Sequence, residues 1–307
     1  LKHAAQTPLA GERIAEALRI AGLPGGLFAN LFLSHEQTSR LLAAGLVDHA
    51  TFTGSVEGGR AVERAAAGSF TSLTLELGGK DPAYVREDAD VEGAVESLAD
   101  GSFYNSGQSC CGVERIYVHE AVWGPFVEGF VEAASRYRLG DPLDPETGLG
   151  PMASARGAAS VREQVRQAVE AGATAHIPPQ PFAADTGEGP YLMPQVLTGV
   201  GHDMAVMREE TFGPVAGIMK VGGDEEAVRL MNDSRYGLTA SIWTRDLRAA
   251  ESLAGRVEAG TVLANRCDYL DPLLAWTGVK DSGRGAALGR YGFDTVTRPK
   301  SLHLRSA

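Results

Sequence analysis

Phe-Tyr-Asn-Ser-Gly-Gln-Ser-Cys-Cys at residues 103–111 and Leu-Glu-Leu-Gly-Gly-Lys at residues 75–80 decide how this chain is interpreted. Two of its three cysteines, Cys110 and Cys111, are adjacent in the first stretch. The second stretch places a carboxylate, Glu76, between leucines and before two glycines. Together they offer a thiol nucleophile and a base, provided that the fold brings them to one place.

The residues around Glu76 predict a strand followed by a turn. Leucines alternate with polar residues over 72–77, which places Glu76 on the face opposite the leucines, at the end of the strand. Upstream, residues 47–52 predict a strand that leads into the glycine-containing turn 53–60 and a helix. This order is half of a βαβ unit, where backbone N–H groups can approach a phosphate. The turn matches neither Gly-x-Gly-x-x-Gly nor a P-loop, so by itself it favours a plain structural turn.

Helices and strands alternate through the rest of the chain. The spacing of apolar residues predicts helices over 8–21, 37–45, 88–104, 122–137, 161–172, 225–231 and 247–257. It also predicts strands over 114–119, 238–244 and 261–265. Because this alternation is typical of βαβ units, we predict an α/β fold with an open, largely parallel sheet.

The composition is that of a globular protein. Of 307 residues, 44% are hydrophobic and 22% are charged, which allows a sizeable core. The formal net charge of −11 disfavours nucleic acid and anionic membranes as partners. No apolar run reaches the roughly 20 residues of a membrane helix, and the spacing of the cysteines predicts reduced thiols in a cytoplasmic protein. The sequence starts at Leu1, so we expect a fragment or a partial chain.

Taken one at a time, the reactive residues have ordinary interpretations. An isolated cysteine is more often a packing residue than a nucleophile, although the polar approach to Cys110 is a poor core sequence. A lone glutamate is usually solvated or ion-paired. Adjacent cysteines lack the C-x-x-C spacing of a metal site, so we expect no metal. A Cys–His hydrolase would need an imidazole base, and His35, His49 and His119 lie in no comparable motif.

Four motifs taken together resemble the NAD(P)-dependent aldehyde dehydrogenases. They are Phe52-Thr-Gly-Ser55, Leu75-Glu-Leu-Gly-Gly-Lys80, Asn105-x-Gly-Gln-x-Cys110 and Glu209-Glu-x-Phe-Gly-Pro214, and they occur in the family's order. The similarity extends to Lys280-x-Ser-Gly-x-Gly285 and covers essentially the whole chain. Four ordered motifs are much more specific than any one of them, so the functional interpretation of the cysteine and the glutamate is preferred.

The resemblance implies roles for the thiol and the base. Cys110 matches the catalytic cysteine, whereas Cys111 does not, and Glu76 matches the general base for deacylation. The implied enzyme oxidises an aldehyde to a carboxylic acid through a thiohemiacetal and a thioester on Cys110. The backbone N–H of Cys110 is expected to supply half of an oxyanion hole.

The resemblance also implies a site for NAD or NADP. The residues that match the family's contacts to the adenosine ribose, the phosphates and the nicotinamide ribose are Lys2, Gly54, Ser55, Gly59, Glu210 and Phe212. Ala5 stands where NAD-preferring members commonly have a glutamate, so the choice between the two cofactors stays open.

The implied fold is aldehyde dehydrogenase-like. We expect the C-terminal part of a Rossmann-type cofactor domain at 1–78, a catalytic domain with a mostly parallel α/β sheet at 79–279, and a C-terminal segment with an oligomerisation arm at 280–307. The family's N-terminal portion, with its second oxyanion donor, is expected to be absent. We expect a homodimer or homotetramer that takes a small aldehyde as substrate.

Two alternatives stay open at this point. A CoA-acylating aldehyde dehydrogenase would use the same cysteine and pass the thioester to CoA, and a truncated chain could be non-catalytic. Residues 265–276 correspond to the substrate entrance, and Ala275-Trp-Thr-Gly278 replaces the family's usual Pro-Phe-Gly-Gly. No substrate preference is therefore transferred from the family.

Overall fold

The structure is a computed structural model that describes residues 1–306. It has two compact units: unit 1 comprises residues 1–50 and 60–73, and unit 2 comprises residues 51–59 and 74 onward. The α-helices are α1 Pro8–Ile20, α2 His35–Ala43, α3 Val56–Ala66, α4 Val91–Phe103, α5 Trp123–Ser135, α6 Ala155–Glu170, α7 Ala205–Arg208, α8 Asp224–Asn232, α9 Leu247–Ala254 and α10 Gly289–Thr295. The strands are β1 His49–Thr53, β2 Ser72–Glu76, β3 Asp81–Val85, β4 Val113–His119, β5 Thr174–Ala175, β6 Gln195–Thr198, β7 Val215–Val221, β8 Thr239–Trp243, β9 Thr261–Ala264 and β10 Gly283–Arg284.

Unit 1 contains α1, α2 and most of α3. Pro8 stands in the first turn of α1, where a missing N–H costs no helical hydrogen bond. A capping box begins α2, because Ser34 Oγ accepts from the Gln37 N–H at 3.1 Å and Gln37 Oε1 accepts from the Ser34 N–H at 2.8 Å. In α2, Leu42 is buried, whereas in α1 Leu18 is half-buried and Ile14 is exposed. The apolar residues of α1 are therefore largely exposed.

Unit 2 is built on a large sheet with the strand order β5-β6-β7-β4-β3-β8-β9. All neighbouring pairs are parallel except β5 with β6 at one edge. One core cluster packs Phe103 of α4 and Phe130 of α5 against Val85, and another packs α8 and α9 against Tyr84 and Ile242. Adjacent residues of β3 thus point to opposite faces. The predicted α/β fold with a largely parallel sheet is confirmed.

The sequence patterns do not predict β3, which is a central strand of this sheet. All five of its residues are buried, so it lacks the alternation that marks a half-exposed strand. It also contains Pro82, and proline is disfavoured within a sheet because it has no N–H. The register between β3 and β4 shifts between Asp81 and Pro82, so the proline lies at an irregularity of the ladder.

A smaller sheet has the order β1-β2-β10, and it carries Glu76. In the antiparallel pair of β2 and β10, Glu76 lies opposite Gly283. Both faces of β2 are covered at its centre, because Thr74 and Leu75 are both buried. The chain beyond β10 covers Thr74, and a Cβ at Gly285 would lie 3.0 Å from Thr74 Oγ1.

Among residues 1–306, no helix combines the length and the apolar character needed to cross a bilayer.

Candidate active site

Three loops of unit 2 meet at glycines. A Cβ at Gly79 would clash with the carbonyl oxygen of Cys110, and one at Gly107 would clash with the backbone of Gly213. A Cβ at Gly78 would clash with the carboxylate of Glu210. Because only glycine permits such close approach, these glycines are where the loops join. The structure therefore brings the predicted base, the predicted nucleophile and the 209–214 motif together.

Glu76 lies at the end of β2, and the residues that follow it are hydrogen-bonded to Ser282. The backbone N–H of Leu77 donates to Ser282 O at 3.0 Å, and Ser282 Oγ donates to Gly78 O at 2.7 Å. Ser282 is fully buried and in turn accepts from the Gly237 N–H at 3.0 Å. These contacts give the 280–285 motif a physical role, since it fixes the backbone that directly follows the base.

The oxygens of the Glu76 carboxylate are shielded from solvent, and protein groups do little to stabilise its charge. Both oxygens are buried and lack an ordinary hydrogen-bond partner among residues 1–306. Burial raises the pKa of Glu76 to about 7, and the approach of the Trp276 side chain as a donor opposes that rise only in part. A carboxylate with a pKa near neutrality is suited to take a proton and release it again.

A strained turn leads to Cys110. Three successive residues have left-handed backbones: Asn105 at φ 51°, Ser106 at φ 57° and Gly107 at φ 69°. Asn105 Nδ2 donates to Gln108 O at 3.0 Å, and Gln108 Nε2 donates to Asn105 O at 3.1 Å, so the turn is closed by its own side chains. Left-handed residues other than glycine cost free energy and persist where the surroundings hold them. This turn places Cys110 just before β4, partly exposed.

The two adjacent thiols are in different electrostatic settings. Cys111 is buried and its Sγ donates to Asp268 Oδ1 at 2.8 Å, while Ser109 Oγ donates to the same oxygen at 2.9 Å. Hydrogen bonding with Cys110, burial and the charge of Asp268 all raise the pKa of Cys111. The side-chain interaction with Cys111 lowers the pKa of Cys110, against burial and the charge of Asp268. Cys110 is therefore the thiol that ionises more readily.

The 209–214 loop carries the two predicted ribose contacts. Glu210 Oε1 accepts from the backbone N–H of Gly79 at 3.1 Å. Burial, and then the negative charge of Glu114, raise the pKa of Glu210 to about 7. The side chain of Phe212 is 42% exposed, which is unusual for a phenylalanine beside buried polar groups. An exposed aromatic face next to a carboxylate fits a flat, hydroxyl-bearing ligand such as a nucleotide.

The turn predicted at the phosphate side packs against the end of β2. The backbone N–H of Gly54 donates to Glu76 O at 3.0 Å, and Ser55 Oγ accepts from the Gly58 N–H at 3.2 Å at the start of α3. Gly59 lets α3 approach Leu77, because a Cβ there would lie 2.6 Å from a methyl carbon of the leucine. The glycines thus have a packing role, and their cofactor role stays a prediction.

Lys2 belongs to unit 1, where the adjacent backbone is held by a hydrogen bond from the Leu31 N–H to Leu1 O at 2.8 Å. Its predicted contact with the adenosine ribose stays a prediction.

Sequence reasoning missed two carboxylates beside the thiols. Asp81 is fully buried, and its Oδ2 accepts from the N–H and the hydroxyl of Thr239 at 3.0 and 2.5 Å. Burial raises the pKa of Asp81 well above its usual range. Asp268 is the acceptor for Cys111. Neither lies in a recognisable motif, and no pattern along the chain marks them as neighbours of Cys110.

These features describe an α/β protein with a candidate thiol nucleophile beside a candidate base. The model of the aldehyde dehydrogenase family matches residues 1–302, and the chain belongs to that family. An aldehyde dehydrogenase of Paenarthrobacter nicotinovorans is 39% identical over 302 residues, which are 98% of this chain and 65% of that protein. The NAD(P)+ succinate semialdehyde dehydrogenase of Escherichia coli is 37% identical over 95% of this chain and 63% of its own length. The chain therefore spans about 65% of the length of its curated relatives.

Solved structures agree with this assignment. The succinic semialdehyde dehydrogenase of Streptococcus pyogenes in complex with NADP+ superposes with a TM-score of 0.94 and is 33% identical, covering 100% of this chain and 67% of that one. Lactaldehyde dehydrogenase from Escherichia coli gives a TM-score of 0.93 at 34% identity, covering 99% and 64%. The resemblance and the aldehyde dehydrogenase-like fold expected from the four motifs are confirmed.

Proposed function

We propose that the protein is an NAD(P)-dependent aldehyde dehydrogenase that uses Cys110 as nucleophile and Glu76 as the base for deacylation. The observation that supports the proposal is the close approach of the two loops at Gly79, together with the effect of the Glu76 charge on the Cys110 thiol. The relatives named above support the reaction class, since all are aldehyde dehydrogenases, and the names of the Escherichia coli succinate semialdehyde dehydrogenase and the Streptococcus pyogenes structure include NAD(P)+ and NADP+.

In the proposed reaction, the Cys110 thiolate attacks the aldehyde carbon and forms a C–S bond, and the carbonyl oxygen becomes the oxyanion of a thiohemiacetal. The backbone N–H of Cys110 is proposed to donate to this oxygen. A bound NAD(P)+ would supply the two-electron oxidant, as the acceptor of a hydride from the same carbon; the thiohemiacetal on Cys110 would thereby become a thioester. Glu76 then takes a proton from a water molecule while the oxygen of that water attacks the thioester. The C–S bond breaks, the carboxylic acid leaves and the Cys110 thiolate is restored.

Glu210 and the partly exposed ring of Phe212 support a cofactor site, and we propose that these two residues hold the nicotinamide ribose. As the family resemblance implies, Gly54, Ser55 and Gly59 are proposed to face the phosphates, and Lys2 to contact the adenosine ribose. The choice between NAD and NADP is settled by measuring the dissociation constant of each.

The test compares two neighbouring thiols. Cys110→Ser should abolish aldehyde-dependent formation of NAD(P)H, because a serine hydroxyl is not ionised at neutral pH. The matched control, Cys111→Ser, should keep most of the activity. The proposal fails if Cys110→Ser turns over like wild type. Acyl-CoA formation on addition of CoA would indicate the acylating alternative, and no binding of either cofactor would indicate a non-catalytic chain.

We further propose that the protein works as a homodimer or homotetramer in the cytoplasm, assembled through residues 280–307. The segment after β10 leaves large apolar side chains exposed: Phe293 at 75%, Leu302 at 74% and Leu304 at 88%. Such a surface is typical of an interface. Sedimentation of wild type and of a Leu302→Lys, Leu304→Lys variant tests the proposal, which predicts dissociation of the variant.

A further inference from the structure

Glu114 is a buried carboxylate that the proposed chemistry does not use. It lies in β4 and is 4% exposed. Its two oxygens accept from two successive backbone amides: Oε2 from the Thr211 N–H and Oε1 from the Phe212 N–H, each at 2.8 Å. Hydrogen bonds to an ionised acceptor are roughly twice as strong as neutral ones. Glu114 therefore holds the peptide that joins the two predicted ribose contacts.

Lys80, in the loop that follows the predicted base Glu76, is the ion-pair partner of Glu114. Its ammonium is 1% exposed and lies 2.5 Å from Glu114 Oε2 and 2.8 Å from Thr211 Oγ1. The preceding residue, Gly79, donates its N–H to Glu210. Replacing a buried ion pair with apolar residues is often neutral or stabilising, so a contribution to folding alone does not account for this pair.

The segment held by the pair has an unfavourable backbone. Phe212 has a φ of 47°, in the left-handed region that large residues rarely adopt. Phe212 is 42% exposed, so its side chain is not fixed by complete burial. Its N–H is held by Glu114, and Gln164 adds a second restraint by accepting from Thr211 Oγ1 at 3.1 Å. Without its charged acceptor, the Phe212 backbone is expected to relax.

We propose that Glu114 and Lys80 are positioning residues that hold Glu210 and Phe212 in the geometry that binds the nicotinamide ribose of NAD(P). This inference rests on the function proposed above. Neither residue is expected to touch the cofactor, since both side chains are buried and used by protein partners. The pair acts through the 210–212 backbone.

The test uses charge removal on one or both sides of the pair. Glu114→Gln and Lys80→Met are each expected to lower the melting temperature, because each leaves a buried charge without its partner. The double variant removes both charges and should recover much of that loss. It should still bind NAD(P)+ roughly tenfold more weakly than wild type, because glutamine replaces one of the two accepting oxygens with an NH2 group, which leaves the Thr211 or the Phe212 N–H without its acceptor.

A matched control exists in the same unit. Asp185 is a partly buried carboxylate that accepts from Arg162 at 2.7 Å and from the Gly187 and Met193 N–H groups at 2.9 Å each. Asp185→Asn should lower the melting temperature and leave cofactor affinity unchanged. Hydrogen exchange read over the peptide that contains residues 209–214 should rise in both Glu114 variants and stay at the wild-type rate in the control.

The outcomes separate the two proposals. Wild-type protein that binds neither NAD+ nor NADP+ overturns the proposed function, and this inference falls with it. Wild type that binds, together with a double variant that regains both its melting temperature and its affinity, overturns the positioning role alone. Faster exchange with unchanged affinity also overturns it, because the segment would then be held without serving the cofactor.

Discussion

Replacing Glu76 with glutamine should stabilise the folded chain above pH 7 and slow the release of the acyl product. Burial raises the pKa of this carboxyl from its ordinary 4.5 to about 7, so the folded state disfavours the ionised form. The stability contributed by the neutral carboxyl is complete below pH 4.5 and is lost as the pH rises through 7. Above pH 7, wild type therefore carries the full penalty of a buried charge.

The size of this penalty follows from the shift. One pKa unit corresponds to about 1.4 kcal/mol, so a rise from 4.5 to about 7 would amount to about 3 kcal/mol. The side chain as a whole is only half buried, and solvent screening reduces this to about 1–2 kcal/mol. Glu76→Gln should therefore raise the free energy of unfolding by about 1–2 kcal/mol at pH 8 and leave it nearly unchanged at pH 4.5.

Urea unfolding of both proteins at the two pH values measures the difference. The matched control is Glu163→Gln, an exposed carboxylate paired with Arg166 on α6, which should show no such gain at pH 8. An equal effect of Glu76→Gln at both pH values would refute the claim that burial penalises the ionised carboxylate.

The same substitution should separate the two halves of the reaction. Thiohemiacetal formation and hydride loss do not need the base, so a burst of NAD(P)H equal to the enzyme concentration should precede slow turnover. For wild type, the steady-state rate should rise with pH through about 7, as Glu76 ionises, and this rise should disappear in the variant. A variant with the wild-type steady state would rule out the base role.

Three further predictions concern the supports of the site. Asp268→Asn removes a negative charge that raises the pKa of Cys110, so alkylation of Cys110 by iodoacetamide at pH 7 should become faster. As a control, Asp203→Asn alters an exposed carboxylate and should not change the alkylation rate. Gly79→Ala forces a Cβ against the carbonyl oxygen of Cys110 and should cost about 1–3 kcal/mol of stability and most of the activity; normal turnover would show that the two loops do not need this contact. Ser282→Ala leaves the buried Gly78 carbonyl and Gly237 N–H without their partner, so the free energy of unfolding, measured in urea, should fall by about 1–3 kcal/mol. An unchanged unfolding midpoint would contradict the role given to the 280–285 motif.

Much of the fold could be predicted because apolar periodicity reports burial along each element. The helices α4, α5 and α6 and the strands β4, β8 and β9 lie close to their predicted positions. The strand β3 could not be predicted in this way. It is fully buried and contains Pro82, so it shows neither an alternation of apolar and polar residues nor a typical strand composition. The predicted domain boundaries and the roles of the predicted site residues stay predictions.

Sequence by itself determined the family, the choice of Cys110 over Cys111 as the candidate nucleophile, and Glu76 as the candidate base, because these depend on short motifs and their order. Tertiary structure alone decided what surrounds them. The bond from Gly79 to Glu210 joins residues 131 apart, and that from Cys111 to Asp268 joins residues 157 apart. Local patterns carry no information about such pairings. They form only when the sheet brings its loops together, and burial then decides which carboxyls and thiols ionise.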